Sequence, residues 1–172
     1  FLRRPDHLPS NRTVLLSRFG LNKALYAQEI PSGAQDHRFA RWVRRTDRGT
    51  NNFYMSFDVD NDYPWAGKAG QRFEVSIFFL DLGAGDFFIE YKNSGGALIR
   101  KGIPRGNSGE WKTARVILED AYFNDQMGLD PDGNGPPSYT DFRIFNGGPN
   151  APDVYLHMVK VKGLGPKPSD PK

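Results

Sequence analysis

The sharpest chemical pattern in the chain is the run Asp130-Pro131-Asp132-Gly133-Asn134-Gly135-Pro136-Pro137-Ser138-Tyr139-Thr140-Asp141. A hard cation such as Ca²⁺ takes several oxygens from a sharply turning loop, and side chains at loop positions 1, 3, 5, 9 and 12 with glycine at 6 supply them. Asp130, Asp132, Asn134 and Asp141 are therefore candidate Ca²⁺ ligands. Position 12 is Asp instead of the bidentate Glu, and paired prolines follow the glycine, so a plain Asp/Gly turn is the competing reading. A second acidic run, Asp58, Asp60 and Asp62, has the spacing at which three carboxylates share one strand face. It suits a metal or an acid and base pair, or more simply a strand end, because Asp and Asn favour turns.

Tyr63 and Trp65 follow directly, and aromatic rings in a polar loop can stack on the apolar face of a sugar. Upstream, Arg38, Arg41, Arg44, Arg45 and Arg48 are interleaved with Phe39 and Trp42. Guanidinium forks pair with carboxylate and sulfate, so Arg41 and Arg44 beside Trp42 would suit an anionic polysaccharide, and a solvated strand face is the bland alternative. The histidines, His7, His37 and His157, have no ligand spacing to one another. Strand-to-helix fingerprints for a nucleophilic serine, a zinc helix, a phosphate loop or a dinucleotide do not occur. No catalytic constellation is visible, and the chain is expected not to be an enzyme.

These groups need a scaffold, and composition names its class. The 172 residues include 13 Phe, 7 Tyr and 3 Trp, enough aromatic surface to build a core despite a mean hydropathy of -0.61. The 19 Gly and 13 Pro punctuate short β-branched and aromatic runs, as in an all-β protein rich in turns. With no cysteine there is no disulfide framework and no thiolate site. No apolar run approaches the roughly 18 residues a membrane-spanning helix needs, and no membrane partner is expected. Charge is uneven: residues 1–50 hold ten Lys or Arg against four acids, whereas the whole chain nets only +3. A small net charge without a recognition motif argues against nucleic acid.

Alternation with period two marks the strands. Phe53, Met55, Phe57 and Val59 share one face, as do Phe73, Val75, Ile77 and Phe79, then Phe87, Ile89 and Tyr91, then Ala114, Val116 and Leu118. Strands are expected also over 13–18, 23–30, 37–44, 140–145 and 153–162, about nine in all, with a tight hairpin at Asp81-Leu82-Gly83-Ala84-Gly85. No segment carries a helical stripe. The chain divides into an irregular segment 1–11, an antiparallel β-sandwich over 12–162 and a Pro/Gly-rich tail over 163–172, and is expected to be a monomer cut from a longer protein.

The order of Asn52-Phe-Tyr-Met-Ser-Phe-Asp-Val-Asp60, Val75 to Asp81, Gly85-Asp-Phe-Phe-Ile-Glu-Tyr91, Gly109-Glu-Trp-Lys-Thr113, Leu118 to Phe123, Thr140-Asp-Phe-Arg-Ile144 and Asp153-Val-Tyr-Leu156 resembles the galactose-binding-like jelly-roll modules attached to polysaccharide-degrading enzymes. The resemblance covers about residues 50–162; separately, residues 130–141 resemble the calcium loops of dockerins. It implies a secreted, non-catalytic carbohydrate-binding module that holds a parent glycoside hydrolase or polysaccharide lyase on its glycan, often with a structural Ca²⁺. It matches Trp111 to the turn tryptophan of such modules and Asn150 to the polar loop before the last strand, with Glu29 and Asp153 loosely matching their calcium ligands. The expected sugar-binding residues are Trp42, Tyr63, Trp65, Trp111, Asn150, Arg41 and Arg44. The alternatives are an accessory domain that packs on a catalytic domain without binding glycan, and a small jelly-roll lyase.

Overall fold

The computed structural model describes residues 2–3, 13–14, 43–127 and 140–167. Among the described residues ten strands form two antiparallel sheets. They are β1 (Leu2–Arg3), β2 (Thr13–Val14), β3 (Val43–Arg45), β4 (Tyr54–Val59), β5 (Gln71–Leu80), β6 (Ala84–Lys92), β7 (Leu98–Gly106), β8 (Trp111–Ala121), β9 (Phe142–Phe145) and β10 (Tyr155–Pro166). One sheet has the order β1-β4-β9-β6-β7 and the other β2-β3-β10-β5-β8. The chain is an all-β antiparallel sandwich.

Alternation explains the layering. The inward residues Phe73, Val75, Ile77 and Phe79 of β5 are at most 2% exposed, and they meet Phe87, Ile89 and Tyr91 of β6, with Met55, Leu118, Phe142 and Ile144 completing the core. Each such side chain contributes roughly 1.5–3 kcal/mol when taken fully out of water. Phe73 stacks on Phe123 with centroids 4.2 Å apart, and Phe79 meets Phe87 edge-on at 5.0 Å.

Three findings go beyond the sequence expectations. Strand β7 is additional: it lies at a sheet edge, where Gly102, Pro104 and the exposed Arg100 break the hydrophobic alternation. Strand β10 continues past residue 162 to Pro166, paired with β5 down to Gln71. Leu2 and Arg3, inside the segment read as irregular, pair with Val59 and Asp58 of β4. The expected strand at 23–30, and all but residues 43 and 44 of that at 37–44, lie outside the described residues.

Candidate functional site

The expected site residues that the structure describes fall into two groups at opposite ends of the sandwich. Tyr63, Trp65 and Asp141 lie at the end where β4 leaves and β5 begins. Asx chemistry forms the turn there: the Asp62 N–H donates to Asp60 Oδ1 at 3.0 Å, so this part of the acidic run terminates a strand. The Tyr63 hydroxyl donates to the Val161 carbonyl oxygen at 3.1 Å, which fastens the turn to β10. Trp65, 41% exposed and at φ 76°, lies against the backbone of β10. A Cβ at Gly163 would come within 2.7 Å of its indole and 2.6 Å of the Pro64 carbonyl oxygen, so glycine at 163 is what lets the ring approach.

Asp141 is buried, and both its oxygens are committed: Oδ2 accepts the Val59 N–H at 2.8 Å and Oδ1 the Asp125 N–H at 3.0 Å. Burial, with Asp58 and Asp125 nearby, pushes its carboxyl up to about 7 against the pull of those two N–H groups. It ties β4 to the 124–127 turn. Its expected fellow ligands, Asp130, Asp132 and Asn134, lie outside the described residues, and among the described residues no group of three or more His, Cys, Asp or Glu is placed to hold a metal ion.

At the other end, Asn150 is exposed in the β9–β10 loop, and Arg44 sits half-buried on β3 with contacts of its own inside the chain. Trp42 and Arg41 lie outside the described residues. The loops of this end are pinned from beneath. Buried Arg105 donates through Nη1 to the carbonyl oxygens of Pro152 and Asp153, both at 3.1 Å, and through Nε to Gly85 at 3.2 Å. Asp81 accepts from the Gly106 and Ser108 N–H groups, the Ser108 hydroxyl and the Lys112 ammonium. Burial alone would raise its pKa; these donors outweigh burial and hold the carboxyl far below the usual carboxylate range. Asp153 is a similar anchor, receiving the Thr46 hydroxyl and the Arg48 N–H at 2.9 Å each.

The register of β10, β5 and β8 separates the two groups. Trp65 lies against residues paired to Phe73 and Arg72, whereas Trp111 pairs with Leu80. Seven residues at about 3.3 Å each put them roughly 20–25 Å apart along the strand.

Between them, on the outer face of this sheet, is a groove that no sequence motif announced. It is an open cavity of about 620 Å³ lined by Ser76 and Phe78 of β5, Thr113 and Arg115 of β8, and Lys160 of β10. Register builds it: Lys160, Ser76 and Arg115 stand side by side across three strands, and Met158, Phe78 and Thr113 form the adjoining row. Phe78 is half-buried on the floor, with the Lys160 ammonium 5.6 Å from its ring centroid. Trp111, the outward residue before Thr113 on β8, borders the groove and packs with Leu80, Tyr155 and Val43, its ring 6.0 Å from that of His157. Of the expected sugar-binding residues, Trp111 alone among those described adjoins the groove. The one sequence signal for this site is Phe78, an aromatic residue on the solvent side of an otherwise well alternating strand.

This face carries open positive charge. Arg45, Arg72, Arg100, Arg143 and Lys112 are ion-paired, to Asp153, Glu119, Glu90, Glu90 and Asp81. Arg115 and Lys160 have no ion-pair partner among the described residues, as is true also of Lys68, Lys92 and Lys162 elsewhere on the surface. The opposite outer face is self-satisfied instead: Arg143 lies 4.0 Å over the Tyr54 ring, Arg100 lies 4.9 Å over Phe145, and both guanidinium groups bond the buried Glu90. Rings and charges there already cover one another.

No family model, curated protein or solved structure matches this chain.

Proposed function

We propose that the chain is a non-catalytic carbohydrate-binding module, and that its glycan lies in the groove on the outer face of β10, β5 and β8. The observation that carries this reading is the combination in one open cavity of a half-buried ring, Phe78, with the hydroxyls of Ser76 and Thr113. A sugar offers an apolar ring face and a belt of hydroxyls, and such a surface answers both while the sheet beneath fixes the spacing. Trp111 extends the aromatic surface at one end. On this reading the module is extracellular and holds an enzyme, a glycoside hydrolase or a polysaccharide lyase, on its polysaccharide.

Affinity electrophoresis through gels containing neutral and acidic polysaccharides tests the proposal. At least one polysaccharide should retard the chain, and Phe78→Ala should abolish most of that retardation without changing migration in a polysaccharide-free gel. No retardation by any polysaccharide would contradict it. A structural Ca²⁺ in residues 130–141 belongs to the same proposal. In the described structure Asp141 uses both oxygens on backbone N–H groups, so it does not fit a freely bidentate ligand, and its partners would carry the coordination. A Tm raised by Ca²⁺ and restored by a chelator tests that part on its own.

A further inference from the structure

We infer that the groove selects polyanionic glycans, and that one chain crosses the strands so that Lys160 and Arg115 engage two separate anionic groups, carboxylate or sulfate, along it. This rests on the carbohydrate-binding reading and narrows its ligand class. Three observations carry it.

The first is that neither cation has an acidic partner among the described residues, so both charges are open to a ligand in the groove. The second is position: Lys160 and Arg115 stand on one register row, either side of Ser76, and line one cavity, so a ligand seated there meets both charges. The third is spacing. Ser76 stands between them in the row, so their strands are two inter-strand distances apart, about 10 Å. That span is bridged by a chain with repeating charge more readily than by one small anion. The intervening Ser76 and Thr113 hydroxyls suit the neutral hydroxyls between charged groups. Glu74, on the next row outward beside Lys162, bounds the cationic strip at that side.

A nucleic acid would meet the same cations, but it brings a continuous charge and bases that need several stacking rings. The groove floor offers one ring, Phe78.

The experiment is calorimetric titration of the whole chain with polygalacturonate, a sulfated galactan, a neutral galactan and a single-stranded oligonucleotide. It compares wild type with Arg115→Ala, Lys160→Ala and Phe78→Ala over a range of salt. Arg115 and Lys160 are exposed, so an unchanged Tm will certify the fold of those variants. The acidic polymers should bind and the neutral galactan should bind at least tenfold more weakly. Each charge removal should weaken the acidic polymer about tenfold, the scale of one charged hydrogen bond. The dependence of log Kd on log salt should fall from about 2 in the wild type to about 1 in each variant, one counterion per lost cation. Equal affinity for neutral and acidic galactan, or a salt dependence unaltered by both substitutions, would overturn the polyanion inference and leave glycan binding standing. Equal or tighter binding of the oligonucleotide would also overturn it. Binding to no glycan at all would remove the carbohydrate reading beneath it.

Discussion

Glu90 shows at the level of single residues how this domain treats charge. It is fully buried, yet both oxygens are taken by Arg100 and Arg143, which converts an expensive isolated carboxylate into a tightly bonded triad. Removing one charge while keeping the shape leaves two guanidinium groups facing a neutral amide. Glu90→Gln is therefore expected to cost about 3–5 kcal/mol in urea unfolding. Asp81 and Asp141 respond to pH in opposite senses. The depressed pKa of Asp81 stabilises the fold above the unfolded-state value near 3.9, and that contribution is lost as pH falls below it. The carboxyl of Asp141, raised to about 7, favours the fold most below the unfolded-state value, and the advantage fades as pH climbs toward 7. Denaturation midpoints measured from pH 3 upward should show the gap between wild type and Asp81→Asn opening with pH. The gap between wild type and Asp141→Asn should close over the same range.

The strands depend on how their edges and ends are finished. The free edge of β8 is stopped partly by side chains from the other sheet: the Lys101 ammonium donates to the Ile117 carbonyl oxygen at 2.6 Å and the Tyr91 hydroxyl to Glu119 at 2.9 Å. An uncapped edge is a template for another chain. Lys101→Ala should thus lower stability by about 1 kcal/mol and increase self-association in sedimentation at high concentration. At the far end, β10 needs glycine where Trp65 crosses it. Gly163→Ala places a Cβ 2.6 Å from the Pro64 carbonyl oxygen and 2.7 Å from the indole. A loss of about 1–3 kcal/mol, with a change in Trp fluorescence as the ring is displaced, is expected from overpacking of this kind.

For the whole molecule, the sandwich was legible in the sequence because side chains alternate across a strand by backbone geometry alone. Phe73 to Phe79 and Phe87 to Tyr91 announce their inner faces without knowledge of any partner. Strand β7 escaped because its position at an edge relieves it of burying a regular apolar row. The groove escaped for a different reason: Ser76, Arg115 and Lys160 are far apart in sequence and become neighbours only through the register of three strands. Spacing arguments found Tyr63, Trp65 and Asp141, which are local in sequence, and these now have described structural work in holding one end of the sandwich. The resemblance makes Trp111 a turn tryptophan, and the register sets it at the rim of the groove. Charge arithmetic pointed to an excess in the first fifty residues. The unpaired cations of the groove lie elsewhere, on strands whose local composition is unremarkable.

Where the glycan sits is the central claim, and amide chemical-shift mapping measures it directly. A ¹⁵N-labelled chain titrated with an acidic oligosaccharide should show its largest perturbations at Ser76, Phe78, Thr113, Arg115 and Lys160, with Trp111 at their border. Perturbations confined to the loops around Trp65 or Asn150, with the groove strands unchanged, would contradict it.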